Sequence, residues 1–128
     1  MNILLDTHIW IWLALGEEKL GSRLRSIFER SETELWLSPI SVWEASMLCR
    51  KGRLTLKPSS QKWIETSISK LALKEARFSF KVGLLADKLE WSNKDPADRI
   101  IVATAIESGF KLASEDSAIH EFNGVDLA

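Results

Sequence analysis

The run Asn2-Ile3-Leu4-Leu5 lacks the alternation of polar and apolar residues that a half-exposed strand shows, and an acid, Asp6, ends it. Successive strand side chains point to opposite faces, so such a run needs cover on both faces. Leu35-Trp36-Leu37 and Lys111 to Ala113 read as further strands. A short edge strand is expected within Leu73 to Phe78, and a final strand at Val125 to Leu127.

The segments between these runs carry helical spacing. His8 to Leu15 is apolar nearly all round and Gly16 suits its end. Leu20, Leu24, Ile27 and Phe28 recur at the helical period. Ser38-Pro39 opens a helix in which Ile40, Trp43, Met47 and Leu48 share a face. Ser59 or Ser60 caps the next, with Trp63, Ile64, Ile68 and Leu71. Phe80 to Leu89, Pro96 to Ser108 and a short piece from about Asp116 complete the set. Strands alternating with helices, without hairpin turn signals, predict an α/β fold. The expected architecture is three-layered, α/β/α, around a central, mostly parallel sheet of four to five strands, with two helices in several crossovers.

At 128 residues the chain is expected to form one domain, spanning 1–128. The net charge of −1 makes no electrostatic advertisement for nucleic acid, so any polyanion binding needs a local basic patch or bound metal. Arg50, Lys51, Arg53 and Lys57 offer one such patch, or simply a solvated helix end. The one cysteine, Cys49, allows no internal disulfide and is expected to be a small buried residue. Met1-Asn2-Ile3 has no basic leader, and no apolar run reaches transmembrane length, so a cytoplasmic protein without membrane association is expected.

Four acids stand where buried patterns break off. Asp6 ends the first strand, and Glu44 sits in the first turns of the helix after Leu35-Trp36-Leu37. Asp98 lies two residues after Pro96, and Asp116 follows Leu112-Ala113-Ser114. In a parallel α/β fold, strand ends and the helix starts beside them line one edge of the sheet, where ligands bind. Carboxylates gathered there repel one another unless cations sit between them. Oxygen donors without supporting Cys or His select Mg²⁺ or Mn²⁺ over zinc, and His8 and His120 do not build a zinc site by themselves. Such an ion acidifies bound water and stabilises charge on phosphoryl oxygens, which suits phosphodiester hydrolysis.

Each acid also has an ordinary structural explanation. Asp6 and Asp116 can cap or stabilise the helices that follow. Ser41-Val42-Trp43-Glu44 fits a capping box. Asp95, Pro96 and Asp98 fit N-cap, N1 and N3 of a helix, and Arg99 could pair with Asp98. Individually these are unremarkable; their joint placement at one sheet edge favours the metal reading.

Five blocks occur in a fixed order: Leu4-Leu5-Asp6-Thr7-His8, Ser38-Pro39-Ile40-Ser41-Val42-Trp43-Glu44, Lys51-Gly52-Arg53-Leu54, Asp95-Pro96-Ala97-Asp98-Arg99 with Ile100 to Ala105, and Leu112-Ala113-Ser114-Glu115-Asp116. With these blocks the chain resembles a PIN domain, and specifically a VapC-type toxin ribonuclease of a type II toxin–antitoxin system. The resemblance implies a PIN-like fold and an Mg²⁺- or Mn²⁺-dependent endoribonuclease whose acidic quartet is Asp6, Glu44, Asp98 and Asp116. Asp6 and Asp98 would be direct metal ligands, with Glu44 and Asp116 binding directly or through water. Thr7 and Ser114 match small hydroxyl positions that orient water or substrate, and Asp95 matches a frequent extra acid. An RNA substrate, an antitoxin partner and a homodimer are implied too, with the six tryptophans available for a groove or dimer face, or for the core. The sequence departs from the pattern at Asn93, Ala97 and Glu115, which bears on substrate preference and metal affinity.

The alternative is a catalytically silent PIN-like module that holds RNA or protein. A receiver domain would require an acidic pair after the first strand, and a haloacid-dehalogenase-type phosphatase a second Asp where His8 stands.

Overall fold

The computed structural model describes residues 1–128. β1 (Asn2–Leu5) pairs in parallel with β2 (Glu34–Leu37) on one side and with β4 (Lys111–Ala113) on the other. β3 (Lys74–Glu75) pairs with β2, so the four strands run in the order β3-β2-β1-β4, all parallel. Ile3, Leu4 and Leu5 are wholly buried. Ile3 and Leu5 join one apolar cluster with Ile9, Trp10, Leu20 and Leu24, whereas Leu4 joins another with Ile101, Val102 and Ile119. The alternating faces of one strand thus feed two separate cores, which makes the three layers.

Two helices fill each crossover: α1 (Thr7–Leu15) and α2 (Ser22–Phe28), then α3 (Pro39–Arg50) and α4 (Ser60–Lys70), then α5 (Phe80–Lys88) and α6 (Pro96–Ser108). α7 (Ser117–Glu121) follows β4. α1 ends at Gly16, whose φ of 69° is one that residues with a Cβ rarely adopt. α6 matches the expected Pro96 to Ser108 because Pro fixes its first turn and Gly109 closes its last.

Three expectations need correction. Leu20, Leu24, Ile27 and Phe28 do not share one helix: Gly21, at φ 78° and ψ 156°, separates a 3-10 turn (Glu18–Leu20) from α2. Val125 to Leu127 forms no strand but a single bridge, Leu112 to Leu127, beside the three-residue β4. Cys49 is half-buried rather than buried. The tryptophans divide: Trp10 is sealed in the core with its indole N–H donated to Ser67 Oγ at 3.1 Å, while Trp43 is 53% exposed. No helix is long and apolar enough to cross a membrane.

Parallel pairing puts the carboxyl ends of all strands on one edge. Leu5 stands in register with Leu37 and Ala113, so Asp6, Ser38 and Ser114 leave the sheet side by side.

Candidate metal centre

Asp6 turns β1 into α1. Its N–H donates to the Ala113 carbonyl at 3.0 Å, and its Oδ1 accepts from the Ile9 N–H at 2.8 Å, capping the helix. Capping and metal binding are therefore compatible, because the cap engages one carboxylate oxygen. Asp116 caps α7 in the same way, its Oδ1 accepting from the N–H groups of Ala118 (2.8 Å) and Ile119 (3.4 Å). Asp95 caps α6 by accepting from the Asp98 N–H at 2.9 Å.

Glu44 is not part of a capping box. Ser38 caps α3, accepting from the Ile40 N–H at 3.2 Å, and the Ser41 hydroxyl accepts instead from Thr7 Oγ1 at 2.9 Å. That buried contact ties α1 to α3 and leaves Glu44 free of the helix start.

Asp98 does not pair with Arg99. The Arg99 guanidinium donates to five backbone carbonyls: Ala86 at 2.9 Å, Trp91 at 2.8 Å, Asn93 at 2.9 Å, Asp87 at 3.3 Å and Leu89 at 2.8 Å. All of its N–H donors are thereby engaged. The loop it fixes carries Asn93, whose Nδ2 donates to Asp98 Oδ2 at 3.0 Å and whose Oδ1 accepts from the Asp95 N–H at 3.0 Å.

These acids meet at one cavity of about 250 Å³, lined by Asp6, Thr7, Glu44, Asp95, Asp98 and Asp116. Glu115, His8, Trp12 and Ile101 complete the wall. Ser114 stands behind it, buried: its hydroxyl accepts from the Asp116 N–H at 3.1 Å and supports the Asp6 carboxylate, while its carbonyl accepts from His120 Nε2 at 2.5 Å. The sequence reading did not assign His8, Trp12 or Asn93 to the site. Asn93 entered the sequence analysis only as a departure from the family pattern; the Asn-x-Asp-Pro spacing, which fits an Asx turn before a capped helix, is the local signal for its place here.

No lysine or arginine forms a salt bridge with this cluster; the salt bridges are Lys19–Glu17 and Lys74–Glu34, both elsewhere. Burial pushes the Asp6 carboxyl above its ordinary range, against the Ser114 hydroxyl, the Ile9 N–H and His8, and Asp116 adds repulsion. Burial likewise raises Asp98, to about 6, opposed by the Asn93 amide and reinforced by Asp95, Asp116 and Glu44. Carboxylates that burial and one another's charge hold back from ionising fit a divalent cation. No three His, Cys, Asp or Glu side chains close up tightly enough to grip an ion on their own. Magnesium does not require that grip: it keeps several waters and takes one or two carboxylates directly.

The raised Asp98 gives a signed expectation. A carboxyl whose folded value lies above its unfolded one disfavours the folded state as pH rises from about 4 through about 6. In chelator, wild type and Asp98→Asn should melt alike near pH 4, and the variant should become the more stable by pH 7. The difference should be on the order of 1 kcal/mol after solvent screening. Parallel melting curves across that range would contradict the assignment.

The sequence model of the family described as PIN domain matches residues 3–125. Ribonuclease VapC22 of Mycobacterium tuberculosis is 28% identical over 115 residues, covering 90% of this chain and 87% of that protein. Among solved structures, VapBC2 from Rickettsia felis bound to a promoter DNA fragment superposes with a TM-score of 0.71 at 18% identity, covering 100% of this chain and 98% of that one. VapC20 of Mycobacterium tuberculosis, described as a sarcin–ricin loop cleaving toxin, gives a TM-score of 0.61 at 15% identity, with 97% and 98% covered.

Proposed function

The chain belongs to the PIN domain family, and from that premise we propose that residues 1–128 act as a single PIN domain, the endoribonuclease toxin of a toxin–antitoxin pair. The observation that carries this reading is the meeting of Asp6, Glu44, Asp98 and Asp116, far apart in sequence, at one cavity without a compensating cation from the chain. Asp6 and Asp98 would hold Mg²⁺ or Mn²⁺, with Glu44 and Asp116 binding directly or through water. When bound, such an ion supplies positive charge to a scissile phosphate and acidifies water.

The chain's own groups do the positioning. Asp6 and Asp116 are fixed at helix starts by their Oδ1 caps, and Asp98 is aimed by Asn93 on the loop that Arg99 holds. Ser114 supports both Asp6 and the Asp116 backbone. Asp95 serves as the α6 cap at the cavity rim, and Thr7 braces α1 against α3. Trp43, Phe78, Phe80 and Leu84 are large apolar side chains left exposed, Phe80 by 95%. Phe78, Phe80 and Leu84 line one open apolar hollow, which supports association with protein partners, an antitoxin and a second copy.

Incubating purified protein with a mixed RNA pool tests the reading and separates a nuclease from a silent binding module. Cleavage should require Mg²⁺ or Mn²⁺, stop on chelation, and be lost in Asp6→Asn. Cleavage that survives both changes belongs to a contaminant and removes the assignment.

A further inference from the structure

Beside the acid pocket lies a second cavity, of about 660 Å³, that the proposed chemistry does not use. Its walls are the loop pinned by Arg99, carrying Trp91 and Asn93, and the end of α7 with Glu121, Phe122 and Asn123. Both walls run directly into the acid pocket. Asn93 lines the cavity while its amide holds Asp98, and α7 begins at Asp116. Five helical residues rise roughly 7–8 Å, so the two sites are neighbours on the scale of one nucleotide.

The chemistry of the cavity is aromatic and anionic. Trp91 and Phe122 stack with ring centroids 5.0 Å apart and planes 27° apart. This arrangement depends on Gly124: a Cβ there would lie 2.4 Å from Phe122 Cζ, so any larger residue drives the ring away. The Trp91 backbone is equally fixed, its carbonyl accepting from Arg99 Nη1 at 2.8 Å. An aromatic pair stacked in this way is a surface on which a flat π-system can stack in turn. Glu90 and Glu121, both exposed on the wall, repel phosphate but accept hydrogen bonds from amino or imino N–H groups. Asn123 adds an amide able to donate and accept.

We infer that this cavity receives an unpaired nucleobase of the RNA, one or two nucleotides from the phosphate held at the acid pocket, and thereby sets the sequence preference of cleavage. The inference rests on the ribonuclease reading for its substrate. Carboxylate walls admit the neutral base and turn the phosphate backbone outward, toward the cation site. Sequence-specific RNA recognition generally works on such splayed, unstacked bases.

The test is to cleave a randomised single-stranded RNA pool with wild type, Gly124→Ala and Trp91→Leu, and to sequence the new ends. Wild type should prefer particular bases at a position within two nucleotides of the cut by about tenfold, the scale of one hydrogen-bonded base-edge contact from the wall to a base that the aromatic pair holds in place. Both variants should lose most of that preference while Mn²⁺ affinity and melting temperature stay near wild type. Should Trp91→Leu fail to fold, Gly124→Ala suffices, because it meets only the movable Phe122 ring. Unchanged base preference in Gly124→Ala, or a uniformly slower rate with the same preference, overturns the inference. If wild type cleaves nothing, the ribonuclease reading fails, and binding of short fluorescent RNAs of different base composition decides the cavity separately. Base-dependent binding weakened by Gly124→Ala upholds it, and equal binding by both proteins removes it.

Discussion

Asp98→Asn should lower divalent-cation-dependent RNA cleavage by on the order of 10³-fold, while the protein folds as before. On the proposed assignment an ion held at this carboxylate would supply several kcal/mol of phosphate charge stabilisation, and each 1.4 kcal/mol is tenfold in rate. The amide is nearly the size of the acid and its oxygen still accepts from Asn93 Nδ2, which lies 3.0 Å from Asp98 Oδ2. The start of α6 is unaffected, because its cap is Asp95. Rates with Mn²⁺ or Mg²⁺, measured beside melting curves, check both halves. A large drop in melting temperature with full cleavage would mean that Asp98 serves the helix rather than the chemistry.

Arg99→Ala should have the opposite signature, a stability loss of about 3–4 kcal/mol, with activity falling only because the site loosens. The guanidinium holds five carbonyls, those of Ala86 and Asp87 in the last turn of α5 and those of Leu89, Trp91 and Asn93 in the loop after it, and alanine would remove the donor from all five. Arg99→Lys should recover little, since an ammonium offers three donors from one point and cannot span a planar fork. Urea titration gives the magnitude, and amide exchange should show the opening confined at first to the loop between α5 and α6. Wild-type stability in Arg99→Ala would refute the clamp.

Asp6 shows what could be read before any coordinates. An uninterrupted apolar run followed by an acid specifies both a central strand and the edge of the sheet where ligands collect, and Asp6 stands there. Pro96 and Gly109 likewise delimit α6 because each imposes a backbone geometry that local sequence records. Glu44 shows the first limit. Its spacing from Ser41 fits a capping box, but Thr7, 34 residues away, occupies the Ser41 hydroxyl. Arg99 shows the second limit. Its neighbour Asp98 is a possible partner by sequence, whereas its actual partners are main-chain carbonyls, which no side-chain pattern encodes. Gly21 breaks the helix although Leu20, Leu24, Ile27 and Phe28 keep the helical period across it, so the period alone does not reveal the break.

The central claim is that Asp6, Glu44, Asp98 and Asp116 hold a divalent cation in their shared cavity. Crystals soaked in Mn²⁺ and measured at a wavelength where manganese scatters anomalously test it without reference to activity. A peak among those four carboxylates, absent from Asp98→Asn crystals soaked alike, is the predicted result. Manganese bound only at some other part of the surface would contradict the account.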